Sequence, residues 1–489
     1  MAITRRNMLR ATGLGVGAAA VAALSSGCLP AAGSEVGPPD WEALRKRLAG
    51  TLTLPSDSGY ATAKQAYNPD FDSRQPAAVL RCANASDIQA GIEAARGRVP
   101  IAARGGGHSY AGYSTPDGGL ILDTGDMKSV QVRADGTAVI GAGARLIDVY
   151  TSLAQTGRCL PGGSCPTVGI AGLTLGGGVG VLAGKYGLTC DNLISAQVVT
   201  ADGVLRTASA NSEPDLYWAL RGGGGGNFGV VTELTFRTVA APQLGVFQMK
   251  LGGPVSAVLN GWQSFTHTAP DEFWSTLAIP VGLYTCRITG CYVGTESNMR
   301  AQIDKLVAAI GVQPSSSYKD SMEYLPAMRY FGGCSNYTAE QCRPEAEGGV
   351  LPRETFTATS RVLTKPIADP DRFSEVLANR NGMDILLDSL MGAPSRIGAA
   401  DTAFPHRGAL GTAQIYYGKS AQDARTAVSE LRDGLGELTG NTGFVNYIDP
   451  TLKDWGTAYY GGNAQRLRGI AKHYDPDGVF SFAQSVSKM

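Results

Sequence analysis

Residues 102–114 read AARGGGHSYAGYS, and they follow the short apolar run VPIAA at 99–103. A chain with only four histidines places His108 directly behind three glycines at the end of what reads as a strand. Glycine there lets the backbone approach something closely, and consecutive N–H groups with no side chain between them make an anion cradle. A second loop of the same kind, GGSCPTVGIAGLTLGGGVGVLAGKYG, covers residues 162–187, and a run of five glycines stands at 222–226. Glycine, at 65 residues, is gathered into these few places and is not spread as low-complexity filler. The first two loops argue for a nucleotide-like ligand.

Around the loops, short β-rich segments alternate with helical ones. AAVLRCA, the helix ASDIQAGIEAARGR, VPIAA, GLILDT, SVQVRADGTAVIGAG and the helix LIDVYTSLAQTG come first; NLISAQVVTADGVLRTA, the helix DLYWALRG and the strand FGVVTELTFRTV follow. Ala85, Ser86 and Asp87 are expected to open the first of these helices and Gly97 to close it. Before them, DWEALRKRLAG sets Trp41, Leu44 and Leu48 on one helical face, with Gly50 as its stop. Beyond Pro242 glycine thins, and mixed strands and helices with a broad sheet face run to about residue 440. An aromatic, turn-rich segment then closes the chain, and no internal repeat is present. The 489 residues are enough for two compact units and a tail.

Lys plus Arg and Asp plus Glu both number 42, so no net field draws nucleic acid, an anionic membrane or a polyanion. A small molecule of little charge is the expected partner, and the residues leave the oligomeric state open. At the N-terminus, TRRNMLR precedes the mildly apolar segment from Ala11 to Leu24 and then SSGC, a pattern similar to a twin-arginine export signal, with Met8 where Phe is common. Cys28 is either a lipid-attachment site or close to a simple cleavage point; Ser25 stands where lipidation favours Leu. Residues 1–37 are therefore set apart as signal and linker, and the mature chain is expected outside the cell or at its surface. That route carries folded proteins, which fits a cofactor installed beforehand. No other segment approaches a membrane span. Nine cysteines allow disulfides in such a compartment; Cys286 with Cys291, and Cys334 with Cys342, are close in sequence, but the pairing stays open.

Within the second loop, Gly178, Gly180 and Ala183 satisfy a dinucleotide fingerprint, with Asp202 about 20 residues beyond. The fingerprint requires a solid strand running into the turn, and the preceding GIAGLTLGG is itself broken by glycine, which argues against a nicotinamide domain. His267, His406 and His473 read as helix ends or turns with no metal-site spacing, and no GxSxG is present.

The order RGGGHSY, GGSCPTVGIAGLTLGGGVG, GLTCDNL, GGGGGNFGVVT, FPHRG, NYID and YYGGNAQRLRGIAKHYDPDGVFSF resembles the FAD-linked oxidases of the berberine bridge enzyme family, from about residue 73 to the C-terminus. The resemblance implies an α+β fold: a two-subdomain PCMH-type (vanillyl-alcohol-oxidase type) FAD-binding domain at 73–242 and a substrate domain with a broad antiparallel sheet at 243–440. A C-terminal segment, 441–489, would return to the flavin. It implies FAD bound at two bonds, through His108 to the 8α-methyl and through Cys165 to ring carbon 6, each expected to raise the oxidising power of the ring. That would leave seven cysteines besides Cys28 and Cys165, so at least one free thiol is expected. By position, Arg104, Gly105, Gly106, Gly107 and Ser109 resemble the pyrophosphate loop. Gly169, Gly172, Gly176, Gly177, Gly178 and Gly180 resemble the second approach, and Asn192, Gly226, Asn227, Val230 and Asn463 the remaining cofactor side.

Val168 stands at the position held to gate oxygen, and valine there is typical of oxidases, which implies dioxygen as the electron acceptor. Leu173 replaces a histidine common in the plant members. The plant alkaloid enzyme's catalytic Glu aligns with Gln414, which cannot be a base, so the resemblance moves that role to Tyr447, with a helper needed to adjust a phenol whose ordinary pKa is near 10. Asn446, Gln414, Tyr416 and Tyr417 are further pocket candidates, since alternating strand residues face either the site or the core. The implied reaction is hydride removal from an alcohol-type carbon of a sugar, an oligosaccharide or a secondary metabolite, with hydrogen peroxide released. A dehydrogenase with another electron acceptor, and an inactive surface binding protein on an inherited fold, are the alternatives.

Overall fold

The computed structural model describes residues 37–489 apart from residue 284, so the export pattern and Cys28 lie outside the described residues. Three larger sheets organise them, beside a two-stranded pairing of Arg158–Cys159 with Val239–Ala240. In the first, Ala78–Arg81, Leu120–Asp123 and Ile101–Arg104 run parallel, with Thr51–Thr53 antiparallel at one edge. Leu120–Asp123 is buried on both faces, as a central parallel strand must be when helices cover it. The strand Ile101–Arg104 delivers the RGGGHSY loop from its C-terminal end.

The second sheet is antiparallel, in the order Val130–Val132, Thr137–Gly141, Val230–Arg237, Leu193–Val199, Leu205–Ser209. The third has seven antiparallel strands: Ser316–Met322, Leu244–Gly252, Thr285–Val293, Phe273–Pro280, Asp384–Ser389, Gly411–Tyr417 and Thr357–Leu363. Helices Val255–Thr268, Glu296–Ile310 and Ala421–Thr439 pack their apolar stripes on one face of this sheet around Trp262, Phe247 and Ile415. The mixture of one largely parallel and two antiparallel sheets is an α+β architecture. The final residues pack into the cores of the first half of the chain: Tyr459, Tyr460, Leu467 and Val486 join the cluster around Ile140 and Leu234, and Phe480 joins that around Leu80 and Leu122.

Several local expectations change. The first helix is only Trp41–Arg45, because Gly50 serves another purpose: Asp87, 2% exposed, accepts from the amides of Ala49, Gly50 and Ala83 at 2.8–2.9 Å, which bends the chain into the edge strand. A Cβ on Gly50 would lie 2.1 Å from the Arg81 carbonyl. The helix Ala85–Ala95 is capped by Asn84, whose Oδ1 accepts from the Asp87 amide at 3.1 Å, and not by a residue within the helix. The residues before Gly178 form a helix, Ile170–Leu175, so no strand enters the dinucleotide-like glycines. Asp202 holds its own turn, accepting from Thr200 and Val204 and pairing with Arg206.

Cys334 and Cys342 form a disulfide, while Cys82, Cys159, Cys190, Cys286 and Cys291 are buried thiols and Cys165 is a partly exposed one. Among the described residues there is no cluster of metal-ligating side chains and no helix long and apolar enough to cross a membrane.

Candidate active site

A cavity of about 380 Å³ lies where the three glycine loops meet the seven-stranded sheet and the C-terminal segment. Residues 104–110 line it, with Cys165, Val168, Gly169, Gly172, residues 224–227, Val230, Tyr416, Asn446 and Tyr447. The two loops that carry His108 and Cys165 touch directly. A Cβ on Gly106 would sit 2.3 Å from the Gly169 amide nitrogen, and one on Gly169 would sit 2.4 Å from that of Gly106, so only glycine permits this approach. Arg145 clamps the same junction, its Nη1 donating to the carbonyls of Gly106 at 2.6 Å and Thr167 at 2.8 Å while Glu347 pairs with its other side.

His108 and Cys165, far apart in sequence, meet at one hydroxyl. Thr167 Oγ1 lies 3.0 Å from His108 Nε2 and 3.4 Å from Cys165 Sγ. The His108 ring stacks on Tyr67 with centroids 3.9 Å apart. Burial, and then the Arg145 charge, lowers the imidazole's pKa to about 3, so it is neutral and able to act as a nucleophile. Burial raises the Cys165 thiol, and hydrogen bonds from Thr167 oppose that rise.

Among the described residues, the amides of Gly105, Gly106, Gly107, His108 and Ser109 have no hydrogen-bond acceptor, and these five residues line the cavity. At the other side, Tyr113 Oη, Ser114 Oγ and Gln484 Oε1 are buried without partners. A buried polar group left in this way is costly unless a ligand supplies the missing bonds. Free amides, open glycine walls and orphaned polar atoms together fit a dinucleotide cofactor. The Arg104 guanidinium does not supply charge to it: 5% exposed, it is already paired with Asp123 at 2.7 Å and donates to the Lys64 carbonyl. The loop would hold a pyrophosphate through its backbone.

Beyond His108 and Cys165 the wall is aromatic. Tyr110 and Tyr447 stack with centroids 5.4 Å apart, Phe356 packs edge-on to Tyr110, and Tyr416 donates to Glu354 at 3.3 Å. Gln414 is one layer back, donating to Tyr110 Oη at 2.6 Å, and Asn446 lines the cavity while donating to the Leu173 carbonyl at 2.9 Å. Burial, then Asp388, Tyr110 and Cys165, raises the Tyr447 pKa well above its ordinary value. Asp388 itself is held at about 6 by burial, with Thr276 donating to it.

Several sequence candidates lie off the cavity. Gly176 leaves room for Asn446, whose Oδ1 would be 2.0 Å from a Cβ there; Gly177, at positive φ, lies against Phe404; Gly178 admits Thr189; and Gly180 passes the Gly162 carbonyl. Asn192 donates to the carbonyls of Tyr186 and Leu188, and Asn463 to those of Ala399 and Thr402. These residues shape the loops around the cavity. Tyr417 is outside it as well, whereas Asn227 lines it and also ties the C-terminal segment by accepting from the Val486 amide at 2.9 Å. Sequence reasoning missed Tyr67, Arg145, Thr167, Glu354 and Asp388. Thr167 was legible inside CPTVG, but the others come from segments with no motif.

A glycine-lined cavity with His108 and Cys165 beside one hydroxyl and a tyrosine wall beyond fits a flavin-dependent oxidoreductase. A family model described as "FAD binding domain" matches residues 76–209, and one described as "Berberine and berberine like" matches 443–487. The uncharacterized FAD-linked oxidoreductase YgaK of Bacillus subtilis is 33% identical over 461 residues, covering 90% of this chain and 98% of that protein. The chitooligosaccharide oxidase of Gibberella zeae is 31% identical, covering 84% and 87%. Among solved structures, Physcomitrella patens BBE-like 1 aligns with a TM-score of 0.84 at 27% identity, covering 91% of this chain and 98% of that one. Glucooligosaccharide oxidase from Acremonium strictum, whose FAD is 6-S-cysteinyl and 8α-N1-histidyl, aligns at 0.81 and 27% with the same coverage. The chain belongs to the berberine-bridge-enzyme-like family of FAD-linked oxidoreductases.

Proposed function

We propose that this protein is an exported oxidase that holds FAD through both His108 and Cys165, removes a hydride from an alcohol-type carbon of a sugar or oligosaccharide, and reduces dioxygen to hydrogen peroxide. The observation that carries the reading is the meeting of His108 and Cys165 on one hydroxyl inside a glycine-lined cavity that opens onto a tyrosine wall. The oxidases of chito- and glucooligosaccharides among its relatives support the substrate class, as does a cavity whose aromatic faces suit sugar rings. Val168 at the cavity wall supports dioxygen as the acceptor. The arginine pair and apolar segment of residues 1–37 support export.

Bound FAD supplies the hydride-accepting ring. The chain's part is to hold the substrate and move its hydroxyl proton. With its pKa raised, Tyr447 rests as a neutral phenol and can take a proton only by giving up its own. Asp388 makes no hydrogen bond to Tyr447 and acts on it by charge; its pKa of about 6 leaves it charged, and able to draw the substrate proton toward the phenol, at neutral pH but not in mild acid. Activity should therefore rise with pH through about 6 and then level off. Asp388→Asn should remove that rise. The same substitution checks the stability linkage. A carboxyl raised from 3.8 to about 6 binds more protons in the folded state, so it makes stability fall as pH rises through that window, and the Asn variant should lose this slope in urea unfolding. Peroxide release and oxygen uptake across a panel of mono- and oligosaccharides test the function itself. A substrate turned over with a dye or quinone but without peroxide would show the acceptor to be something other than dioxygen.

A further inference from the structure

We infer that Thr167 is the positioning residue for both flavin attachments, through one hydroxyl that accepts from the His108 imidazole and donates to the Cys165 sulfur. The inference rests on the bicovalent reading above. A threonine hydroxyl has one proton to give and can accept as well. It lies 3.4 Å from Cys165 Sγ and 3.0 Å from His108 Nε2, and it is 2% exposed, so no bulk water competes at that point. If the proton goes to sulfur, Nε2 must be the imidazole nitrogen that carries hydrogen, which leaves the lone pair on Nδ1. The same proton on Thr167 favours the thiolate. One orientation of one hydroxyl thus frees the imidazole lone pair on Nδ1 and supports the sulfur as it loses its proton, and the reverse orientation does neither.

The surroundings hold the loop and the imidazole in place. Arg145 fixes the Thr167 carbonyl and the Gly106 carbonyl together, and its charge opposes a protonated imidazole. The Tyr67 ring, 3.9 Å away, keeps the imidazole plane. Each attachment forms one bond, Nδ1 to the 8α carbon or Sγ to ring carbon 6. Each removes one hydrogen from that carbon and one from the side chain, and two electrons with two protons pass to dioxygen as hydrogen peroxide. Thr167 gains and loses nothing overall. It gives the imidazole N–H proton a first acceptor as Nδ1 becomes bonded, and it supports the sulfur as its proton leaves.

The test compares purified holoprotein of the wild type with Thr167→Val, which keeps the shape and removes the hydroxyl, and Thr167→Ser, which keeps the hydroxyl. The readouts are intact mass under denaturing conditions, mass mapping of the His108 and Cys165 peptides, and total flavin by absorbance. With apoprotein and added FAD, both bonds should form about tenfold or more slowly in the Val variant, with FAD still bound non-covalently, and at near wild-type rate in the Ser variant. Should Thr167→Val not fold, Thr167→Ala carries the same comparison. Attachment at wild-type rate without the hydroxyl, equal impairment in Ser and Val, or loss of one bond with the other untouched would overturn the inference. A wild type with neither bond would overturn the bicovalent reading first, and is told apart by the control alone.

Discussion

Replacing Tyr447 with Phe should lower kcat by about 10²–10⁴-fold while leaving the flavin attached and its absorbance intact. The phenol lies in the cavity wall, stacked on Tyr110 and set edge-on to Phe444 at 5.0 Å, so removing one oxygen keeps the packing. Only the route for the substrate proton is lost. A structural role would show as a lowered melting temperature with kcat retained. Tyr110→Phe is the control: its hydroxyl accepts from Gln414 at 2.6 Å, and its loss should leave kcat within about tenfold, an effect of one hydrogen bond. Rapid-reaction measurement of flavin bleaching with substrate in the absence of oxygen separates the chemical step from reoxidation.

The largest stability effect is expected at Arg407. FPHRG carries no chemistry, yet its arginine is 2% exposed and makes a two-pronged pair with Asp191, at 2.7 and 2.8 Å, while also donating to Thr402 at 2.6 Å. Asp191 in turn accepts from the Leu188 amide and so fixes the turn that backs the second glycine loop. Arg407→Ala would leave a buried carboxylate without its partner, at a cost of about 3–5 kcal/mol. Urea unfolding of the flavin-loaded protein should show that loss. Arg407→Lys, which cannot make the two-pronged contact, should recover only part of it. An unchanged midpoint for Arg407→Ala would show that the pair is not what holds the loop.

What the sequence made legible follows from how local each signal is. RGGGHSY and GGSCPTVG are contiguous, and glycine clusters have a backbone meaning that survives any tertiary context, so a glycine-lined cavity with His108 and Cys165 in its wall was readable in advance. The placement of glycines one by one was not. Gly106 and Gly169 bring the loops together, whereas Gly176, Gly178 and Gly180 keep clear of Asn446, Thr189 and the Gly162 carbonyl, a difference that depends on partners elsewhere in the chain. Asn463 shares its motif with the cavity-lining Tyr460, yet both it and Asn192 turn their amides onto backbone carbonyls. Asp388 and Glu354 escaped because each is a single acid in a strand or loop with no repeat or spacing to mark it. They matter only once Asp384–Ser389 and Gly411–Tyr417 lie side by side. The helix cap at Asn84 was missed by one residue, a common error where several small polar residues adjoin.

The central claim is that one imidazole and one thiol hold the flavin. Intact-mass spectrometry under denaturing conditions, on protein produced with ample riboflavin, addresses it most directly. The account expects one species heavier than its polypeptide by a single FAD less two hydrogens for each bond. The His108→Ala and Cys165→Ala variants should each keep one bond, and the double variant none. A polypeptide mass with no adduct, and yellow colour released into the acid supernatant, would contradict it.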